Sequence, residues 1–414
     1  MIKSVTHTIL SRIVIILLSF AVVWMNTNNI GAAGQGDVAL IVLGILLIVS
    51  INNFMGGGAI VYLTSRVDPR GLFAPCFLWT LVSVGLFAAA SLFYPIVPEE
   101  YFQHVLILGF LQSLFVFHQQ IALGRNRVWQ FNALTICQWF MTAGSLAYFY
   151  FAKDELMTFS FVKSLYISFG TTFILGIILT GKEWIKFDLR LFKKATQEIW
   201  RYGFYSQTGN IFQLLAYRLA FVFLDQLYKS REAVGIFSVG MQLNEAAMMP
   251  AKSMGMVQYA KLSNSDDPSY NLNLSVNLMK IALAITILIA GIVVVLPESF
   301  YLWVFGNEMI GLKIILTLLA PGMGALAISS IAAHHFSGIG LHKHNSIGSL
   351  VTLATLVGLG IFIIPEQGIK GAAWVSAASY IVQAIYLFTV FVVTQKPSTR
   401  QILSLKIDWQ LLRD

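Results

Sequence analysis

The chain has 414 residues, of which 57% are hydrophobic and only 11% are charged, and its formal net charge is +8. The charged share is about half that of a soluble domain, so the composition excludes an ordinary soluble fold and indicates an integral membrane protein. A nucleic-acid partner is also excluded, because the basic residues lie in short segments between apolar runs and form no single basic patch.

Apolar runs of spanning length follow one another along the whole chain. The first run is retained as a span, because Trp24, Asn26 and Asn28 stand where a signal peptide would have a small-residue cleavage site. The predicted fold class is an all-α integral membrane protein with about 12 transmembrane helices. These spans are predicted near 8–25, 38–63, 72–94, 102–123, 129–151, 157–180, 203–228, 233–258, 273–296, 309–336, 345–364 and 371–394.

Lys and Arg are distributed unequally between the two alternating sets of loops. One set contains most of them, whereas the other contains only Lys153, Lys229, Arg231 and Lys370. Because cytoplasmic loops are rich in basic residues, the first set is assigned to the cytoplasm. An even number of spans then predicts that both termini are cytoplasmic.

A polar segment separates the sixth span from the seventh. Asp188 can cap a helix here whose apolar residues share one side. This helix lies either on the anionic cytoplasmic leaflet or in solvent as a plain linker. The predicted organisation is a six-helix lobe at 1–180, a cytoplasmic linker helix at 181–202, a second six-helix lobe at 203–395 and a cytoplasmic tail at 396–414.

The two halves show weak internal similarity. Ala33-Gly34 before the second span corresponds to Val234-Gly235 before the eighth, and Gly124 after the fourth span corresponds to Gly340 after the tenth. Halves with an even number of spans run parallel, so this similarity predicts a pseudo-two-fold axis along the membrane normal and a central cavity.

Four ionisable residues lie inside the seventh and eighth spans: Arg218, Asp225, Glu245 and Lys252. An ionisable group at hydrocarbon depth costs roughly 3 kcal/mol even on lenient insertion scales. Gln207, Arg218 and Asp225 share one helical stripe, and Glu245 and Lys252 share another. The pattern indicates a polar pathway facing a cavity, which is typical of a transporter.

Arg218 and Lys252 are suited to an anionic head group such as a phosphate. Glu245 and Asp225 are the candidate ion-coupling residues, and Glu245 either binds a cation or pairs with a basic group between cycles. The structural alternative is that Arg218 pairs with Asp225, or Glu245 with Lys252, and that these pairs only hold the helices together. Arg12, early in the first span, either lines the cavity or extends to the lipid phosphates.

Several other chemistries are not indicated. The sequence contains no P-loop for ATP. Cys76 and Cys137 both lie in apolar runs and imply neither a disulfide nor redox chemistry. His118, His334 and His335 have no cysteine or carboxylate at ligand spacing, so no metal site is predicted. The sequence therefore predicts neither a catalytic residue nor a cofactor.

The segment from Gly203 to Pro250 resembles the seventh and eighth helices of Wzx-type polysaccharide-biosynthesis flippases, within the multidrug/oligosaccharidyl-lipid/polysaccharide exporter (MOP) superfamily. Ala220 departs from this pattern, since such proteins often have an acidic residue there. Through this resemblance Gln207 and Asn210 join the predicted substrate-binding set. The matching residues are Gly203, Gln207, Asn210, Tyr217, Arg218, Ala233, Val234, Gly235, Ser238, Glu245 and Pro250.

The resemblance implies a flippase, not an enzyme, in a bacterial inner membrane. It would translocate undecaprenyl-pyrophosphate-linked oligosaccharides by alternating access, for O-antigen, capsule or exopolysaccharide assembly. The implied partners are this lipid-linked glycan, membrane lipids, a polysaccharide polymerase and glycosyltransferases. Na⁺, H⁺ and the membrane potential are left open as the driving force. The alternatives are a cation-coupled exporter of drugs or organic cations, and a membrane scaffold without transport.

Overall fold

The computed structural model describes residues 2–64, 72–180 and 189–404. Within these residues the chain forms α-helices and one short π-helix, without a β-strand. In chain order the α-helices are α1 (Ile2–Asn29), α2 (Gly31–Gly56), α3 (Gly58–Leu63), α4 (Phe73–Phe93), α5 (Glu99–Gly124), α6 (Val128–Ala147), α7 (Thr158–Thr180), α8 (Leu189–Gln226), α9 (Arg231–Ala247), α10 (Met249–Leu262), α11 (Pro268–Val295), α12 (Glu298–Phe305), α13 (Leu312–Gly338), α14 (Lys343–Gln395) and α15 (Thr399–Leu403).

Every predicted span coincides with helix in the structure, and the predicted fold class is confirmed. Eight helices of the described residues are long and apolar enough to cross a membrane. One of them, α14, contains two predicted spans that meet at Gly368, where the backbone has φ 55° and ψ −130°. A β-carbon at this position would lie 2.5 Å from the Tyr228 ring. The junction between the two spans therefore requires glycine.

The chain divides into two compact units, Met1–Ile211 and Phe212–Asp414. The division falls inside α8, a continuous helix in which the end of the expected linker joins the seventh span. The first residues of that linker, with the expected cap Asp188, lie outside the described residues. The contact of the linker with lipid and the lobe boundaries expected from the sequence stay predictions.

Helix faces with apolar residues at regular spacing form the core of each unit. In the first unit α1, α2, α5, α6 and α7 enclose the core, and Ile41, Ile45 and Ile48 of α2 are all buried in it. Steps of three and four residues place these side chains on one side of the helix. In the second unit α13 is central and packs against α10, α11 and α14.

Two predicted spans are interrupted where continuous helices were expected. The second span divides at Gly57 into α2 and α3, and the eighth divides at Met248 into α9 and α10. The second interruption has a direct cause in Pro250, which occupies the first turn of α10. Proline has no N–H to donate, and its ring collides with the carbonyl four residues earlier in a regular helix.

Two smaller elements were also not expected. The end of the fifth span winds into a π-helix over Tyr148–Ala152. The short helix α12 follows the ninth span, and its N-terminal Glu298 accepts a hydrogen bond from the backbone N–H of Gly311 at 2.9 Å. Single π-helical turns in α-helices are often found at functional sites because they redirect neighbouring side chains.

Candidate functional site

Arg218 of α8 and Glu245 of α9 form an ion pair in the second unit. The Arg218 Nη2 atom donates to the Glu245 Oε1 atom at 2.6 Å, and the two side chains are 18% and 35% exposed. The guanidinium also lies 5.4 Å from the centre of the Phe221 ring, a distance at which a cation is attracted to the ring face. The pair is therefore shielded on one side and reachable from another.

Aromatic side chains next to this pair join three helices. The Tyr217 ring packs edge-on against Tyr380 of α14, with 5.3 Å between ring centres. Tyr380 is fully buried, and its hydroxyl donates to the Met241 sulfur of α9 at 3.8 Å. Edge-to-face rings and buried hydroxyl bonds fix the relative positions of helices. They connect α8 and α9, the helices that carry Arg218 and Glu245, to α14.

Asp225 does not pair with Arg218, the partner considered for it in the sequence analysis. It forms an ion pair with the Arg231 Nε atom at the start of α9, and its side chain is only 5% exposed. The Gln226 Nε2 atom donates to the second carboxylate oxygen at 2.6 Å. Asp225 is also the last residue but one of α8. The carboxylate therefore lies at the end of its span and not midway along it.

Lys252 lies in α10, beyond the interruption at Met248. Its side chain is half-buried and has no hydrogen bond or ion pair with any side chain that the structure describes. Glu245 is paired with Arg218 instead, so the alternative Glu245–Lys252 pair is not formed. Of the predicted basic site residues in the second unit, Arg218 is paired with a carboxylate and Lys252 has no partner among the described side chains.

Three predicted substrate-binding residues belong to the first unit. Gln207 is buried, and the Asn210 Nδ2 atom donates to its side-chain oxygen at 3.2 Å. Asn210 itself is exposed. Arg12 is exposed at the start of the apolar stretch Ser11–Asn29. Gln207 and Asn210 thus lie together, and Arg12 has no partner among the described side chains.

Gln207 lies directly against the interruption of the second span. A β-carbon at Gly57 would lie 2.8 Å from the Gln207 Nε2 atom. Side chains of α4 bond to the carbonyls before the interruption, since Trp79 donates to Ile51 O at 3.0 Å and Cys76 to Met55 O at 3.4 Å. Backbone groups freed by a broken helix must find such partners in a membrane.

The first unit contains a charged pair that was not predicted from the sequence. Lys163 of α7 donates to the Glu155 Oε2 atom at 2.6 Å. Lys163 lies inside the sixth span and therefore belongs to neither set of loops. A lysine in a span that follows a loop glutamate by eight residues is the signal that was available.

Histidine and cysteine positions define no metal centre in the described part of the chain, where no group of three or more metal-ligating side chains is found. His118 is buried and bonds through Nδ1 to the Thr180 hydroxyl at 2.6 Å, and His335 bonds to the Ser275 hydroxyl at 2.7 Å. These contacts join neighbouring helices. Cys76 is a buried free thiol.

No protein-family model matches the sequence, and no curated protein sequence matches it. Solved structures match over nearly the whole chain. The lipid II flippase MurJ in an inward closed conformation gives a TM-score of 0.75 at 14% identity and covers 100% of this chain and 91% of its own.

Multidrug transporters have the same fold. An inward-facing multidrug resistance MATE family transporter of the MOP superfamily gives a TM-score of 0.71 at 14% identity, with 93% of this chain and 96% of the other covered. The MATE transporter VcmN of Vibrio cholerae in a bent form gives 0.58 at 14% identity, with 95% and 97% covered. The chain therefore has the fold of MOP superfamily transporters and is similar both to a lipid flippase and to multidrug transporters.

Proposed function

We propose that the protein is a flippase that moves undecaprenyl-pyrophosphate-linked oligosaccharides to the extracytoplasmic leaflet of a bacterial inner membrane. These units would be assembled into a surface polysaccharide such as O-antigen, capsule or exopolysaccharide. The similarity in fold to a lipid II flippase supports a lipid-linked substrate. Membrane lipids, a polysaccharide polymerase and glycosyltransferases are the proposed partners, and no cofactor is required.

The proposal rests on the Lys252 ammonium, which has no partner among the described residues. An ionisable group inside a span costs roughly 3 kcal/mol or more, and Lys252, in the predicted eighth span, has no ion-pair partner among the described side chains. The position is explained if the substrate itself supplies the anion. A pyrophosphate offers several charged acceptor oxygens, and lysine binds phosphate as a compact point charge.

Arg218 would be the second ligand of the pyrophosphate. Its guanidinium is held by the Glu245 carboxylate in the structure. A phosphate oxygen can replace that carboxylate because both accept charge-assisted hydrogen bonds from the same planar donor. Binding of the substrate would then release Glu245 from its ion pair. Gln207, Asn210 and Arg12 of the first unit are proposed to contact other polar parts of the substrate.

The released carboxylate offers a route to ion coupling. A Glu245 side chain without its arginine would take up H⁺ or Na⁺, so substrate binding and ion binding would be linked reciprocally. Asp225 is the weaker coupling candidate of the two because Arg231 and Gln226 both occupy its carboxylate. We propose that either H⁺ or Na⁺ drives transport by binding to Glu245.

The interruption of the eighth span separates Glu245 from Lys252, the proposed coupling residue and the proposed phosphate ligand. Glu245 belongs to α9 and Lys252 to α10, with Met248 between them. Interrupted helices form substrate sites in many transporters, and residues at helix ends absorb the rotations of a hinge. We propose that α10 changes its angle to α9 during alternating access and carries Lys252 with it.

A cation-coupled exporter of drugs or organic cations is the second candidate. It is favoured by the similarity in fold to MATE transporters and by Glu245, which is 35% exposed. In an exporter of cations Glu245 would bind the substrate, and Lys252 would oppose binding. The two functions therefore predict opposite effects of removing the lysine charge.

The test is translocation of fluorescent undecaprenyl-pyrophosphate oligosaccharide in proteoliposomes. Lys252→Met is compared with wild type and with Lys313→Met, a matched control at a half-buried lysine near the start of α13. We expect the rate to fall about tenfold or more in Lys252→Met, because a charge-assisted contact is lost. The control should stay near the wild-type rate.

Two results would contradict the proposal. Equal rates for Lys252→Met and Lys313→Met would remove Lys252 from the substrate path. A wild-type protein that moves no lipid-linked oligosaccharide, with or without an ion gradient, but exports ethidium would establish the cation exporter. Orientation in the vesicles and protein content are matched by protease accessibility and by quantitative blotting.

A further inference from the structure

A second reachable charged pair lies in the first unit, which contains neither Arg218 nor Lys252. Lys163 and Glu155 meet at 2.6 Å, and their side chains are 35% and 33% exposed. Both residues are near the N-terminal end of α7. The distribution of Lys and Arg among the loops assigns this end of the span to the extracytoplasmic side. An ion pair this exposed contributes little to stability. A stabilising role therefore does not explain why this ion pair is present.

Aromatic rings surround the lysine on two sides. The Lys163 ammonium lies 5.4 Å from the centre of the Phe149 ring and 5.5 Å from that of Phe159. The His104 ring packs edge-on against Phe159, with 5.2 Å between the ring centres. All these residues are half-buried. The rings form an apolar surface next to a charged donor and acceptor.

The backbone holds these groups in place. Phe149 is presented by the π-helix at Tyr148–Ala152, in which the next residue, Tyr150, turns inward and donates to Asn26 Oδ1 at 3.0 Å. The Glu155 N–H donates to the Phe149 carbonyl at 3.0 Å, and the Ser160 hydroxyl donates to the Glu155 carbonyl at 2.7 Å. The loop and the wide turn are therefore fixed before a ligand arrives, which lowers the entropic cost of binding.

We infer that Lys163, Glu155, Phe149, Phe159 and His104 form a subsite for a neutral sugar residue of the translocated glycan, an inference that rests on the proposed function. Lys163 repels a cationic ligand and Glu155 repels an anionic one. The pair has no net charge, so it favours a neutral ligand. A sugar ring has apolar C–H faces that pack on aromatic rings, while its hydroxyls both donate and accept hydrogen bonds.

The polar groups match both roles of a sugar hydroxyl. Lys163 is a donor only and Glu155 is an acceptor only. One sugar hydroxyl can accept a hydrogen bond from Lys163 while a neighbouring hydroxyl donates one to Glu155. The His104 Nδ1 atom bonds to the Tyr166 hydroxyl at 2.9 Å, which orients the imidazole against Phe159. The subsite would hold the leading part of the glycan as it leaves the protein on the extracytoplasmic side.

The test is equilibrium binding to the full-length protein by native mass spectrometry in detergent, with two probes. One is undecaprenyl pyrophosphate without sugar, and the other is the same lipid carrying the neutral disaccharide galactosyl-N-acetylglucosamine. The variant Glu155→Gln/Lys163→Met removes both charges and leaves the net charge unchanged. Phe159→Leu is a second variant that keeps the ion pair. Lys153→Met is the control, because this exposed lysine lies 5.9 Å from the Tyr148 ring in the same region but has no acidic partner among the described side chains.

We expect the wild-type protein to bind the disaccharide probe about tenfold more tightly than the bare lipid. Both variants should lose this difference and keep wild-type affinity for the bare lipid, and the control should keep both affinities. Equal affinities of wild type for the two probes, or an unchanged preference in both variants, would overturn the subsite alone. A wild-type protein that binds neither probe would overturn the proposed function as well. Thermal unfolding confirms that each variant is folded.

Discussion

Gly57 lies so close to Gln207 that a β-carbon at position 57 would be 2.8 Å from the Gln207 Nε2 atom. The carbonyl oxygen of Asn53 would be at the same distance. Both contacts are shorter than non-bonded atoms tolerate, and one of them is with backbone that cannot move aside. The interruption of the second span and a predicted substrate-binding side chain are thus parts of one packed arrangement.

The first prediction concerns this contact. Gly57→Ala should lower the free energy of unfolding by about 1–3 kcal/mol, because overpacking displaces the neighbouring groups. Gly58→Ala is the matched control, since a β-carbon there meets no atom within 4 Å. Alanine should be neutral or slightly stabilising at this helical position. Thermal unfolding in detergent measures both, and equal melting temperatures would contradict the packing at Gly57.

The second prediction concerns Arg218 and Glu245. Each side chain is partly shielded, so removal of one partner leaves the other charge without compensation. We expect Arg218→Gln or Glu245→Gln to cost about 1–3 kcal/mol of stability, and the double variant to cost less than the sum of the two. Thermal unfolding of the four proteins gives the coupling energy. Strict additivity would show that the pair contributes nothing.

Translocation separates structural pairing from substrate binding in the same variants. If Arg218 binds pyrophosphate, the double variant should recover stability but not the rate of translocation. Glu245→Gln should lose the dependence of the rate on an ion gradient, because the carboxylate is the proposed coupling group. Full recovery of translocation in the double variant would limit Arg218 and Glu245 to a structural role.

The spans of this fold could be predicted because they depend on local composition. Runs of about 20 apolar residues are needed to cross the bilayer whatever the tertiary structure. The distribution of Lys and Arg supported the same count independently. The interruption at Met248 could also have been placed, since Pro250 is visible in the sequence and proline starts a helix more easily than it continues one.

The pairing of charges could not be predicted in the same way. Helical spacing relates residues of one helix, whereas the partner of Arg218 comes from α9 and the partner of Asp225 is the first residue of α9. In the sequence Arg231 is only a loop charge that indicates topology. Lys163 has no acidic neighbour in its own span, because its acceptor Glu155 precedes it in a loop. Such contacts depend on how helices and loops meet in three dimensions.

The third prediction follows from the unequal exposure of Asp225 and Arg231. The carboxylate is 5% exposed and the guanidinium 36%. Arg231→Gln leaves a buried carboxylate without its cation, whereas Asp225→Asn leaves an arginine that water can reach. We therefore expect Arg231→Gln to cost about 1–3 kcal/mol of stability and Asp225→Asn clearly less. Thermal unfolding measures the loss of stability in each variant. A larger loss in Asp225→Asn than in Arg231→Gln would contradict the burial of the Asp225 carboxylate.

The same variants test which acidic residue couples to an ion. Asp225 accepts from both Arg231 and Gln226, so its carboxylate has little capacity left for a cation. The ion dependence of translocation should survive in Asp225→Asn and disappear in Glu245→Gln. Loss of ion dependence in Asp225→Asn alone would transfer the coupling role to the end of α8.

The last prediction concerns the interruption of the eighth span. Pro250→Ala restores the backbone N–H and removes the ring collision, so α9 and α10 can join into one continuous helix. Pro268→Ala is the matched control, because Pro268 also lies in the first turn of its helix, α11, but that helix follows a loop. We expect Pro250→Ala to raise the melting temperature and to slow translocation several-fold, since a hinge that stiffens slows the conformational step. The control should change the rate little. A wild-type translocation rate in Pro250→Ala, with the helix shown to be continuous by amide hydrogen exchange, would mean that α10 does not need to move relative to α9 for transport.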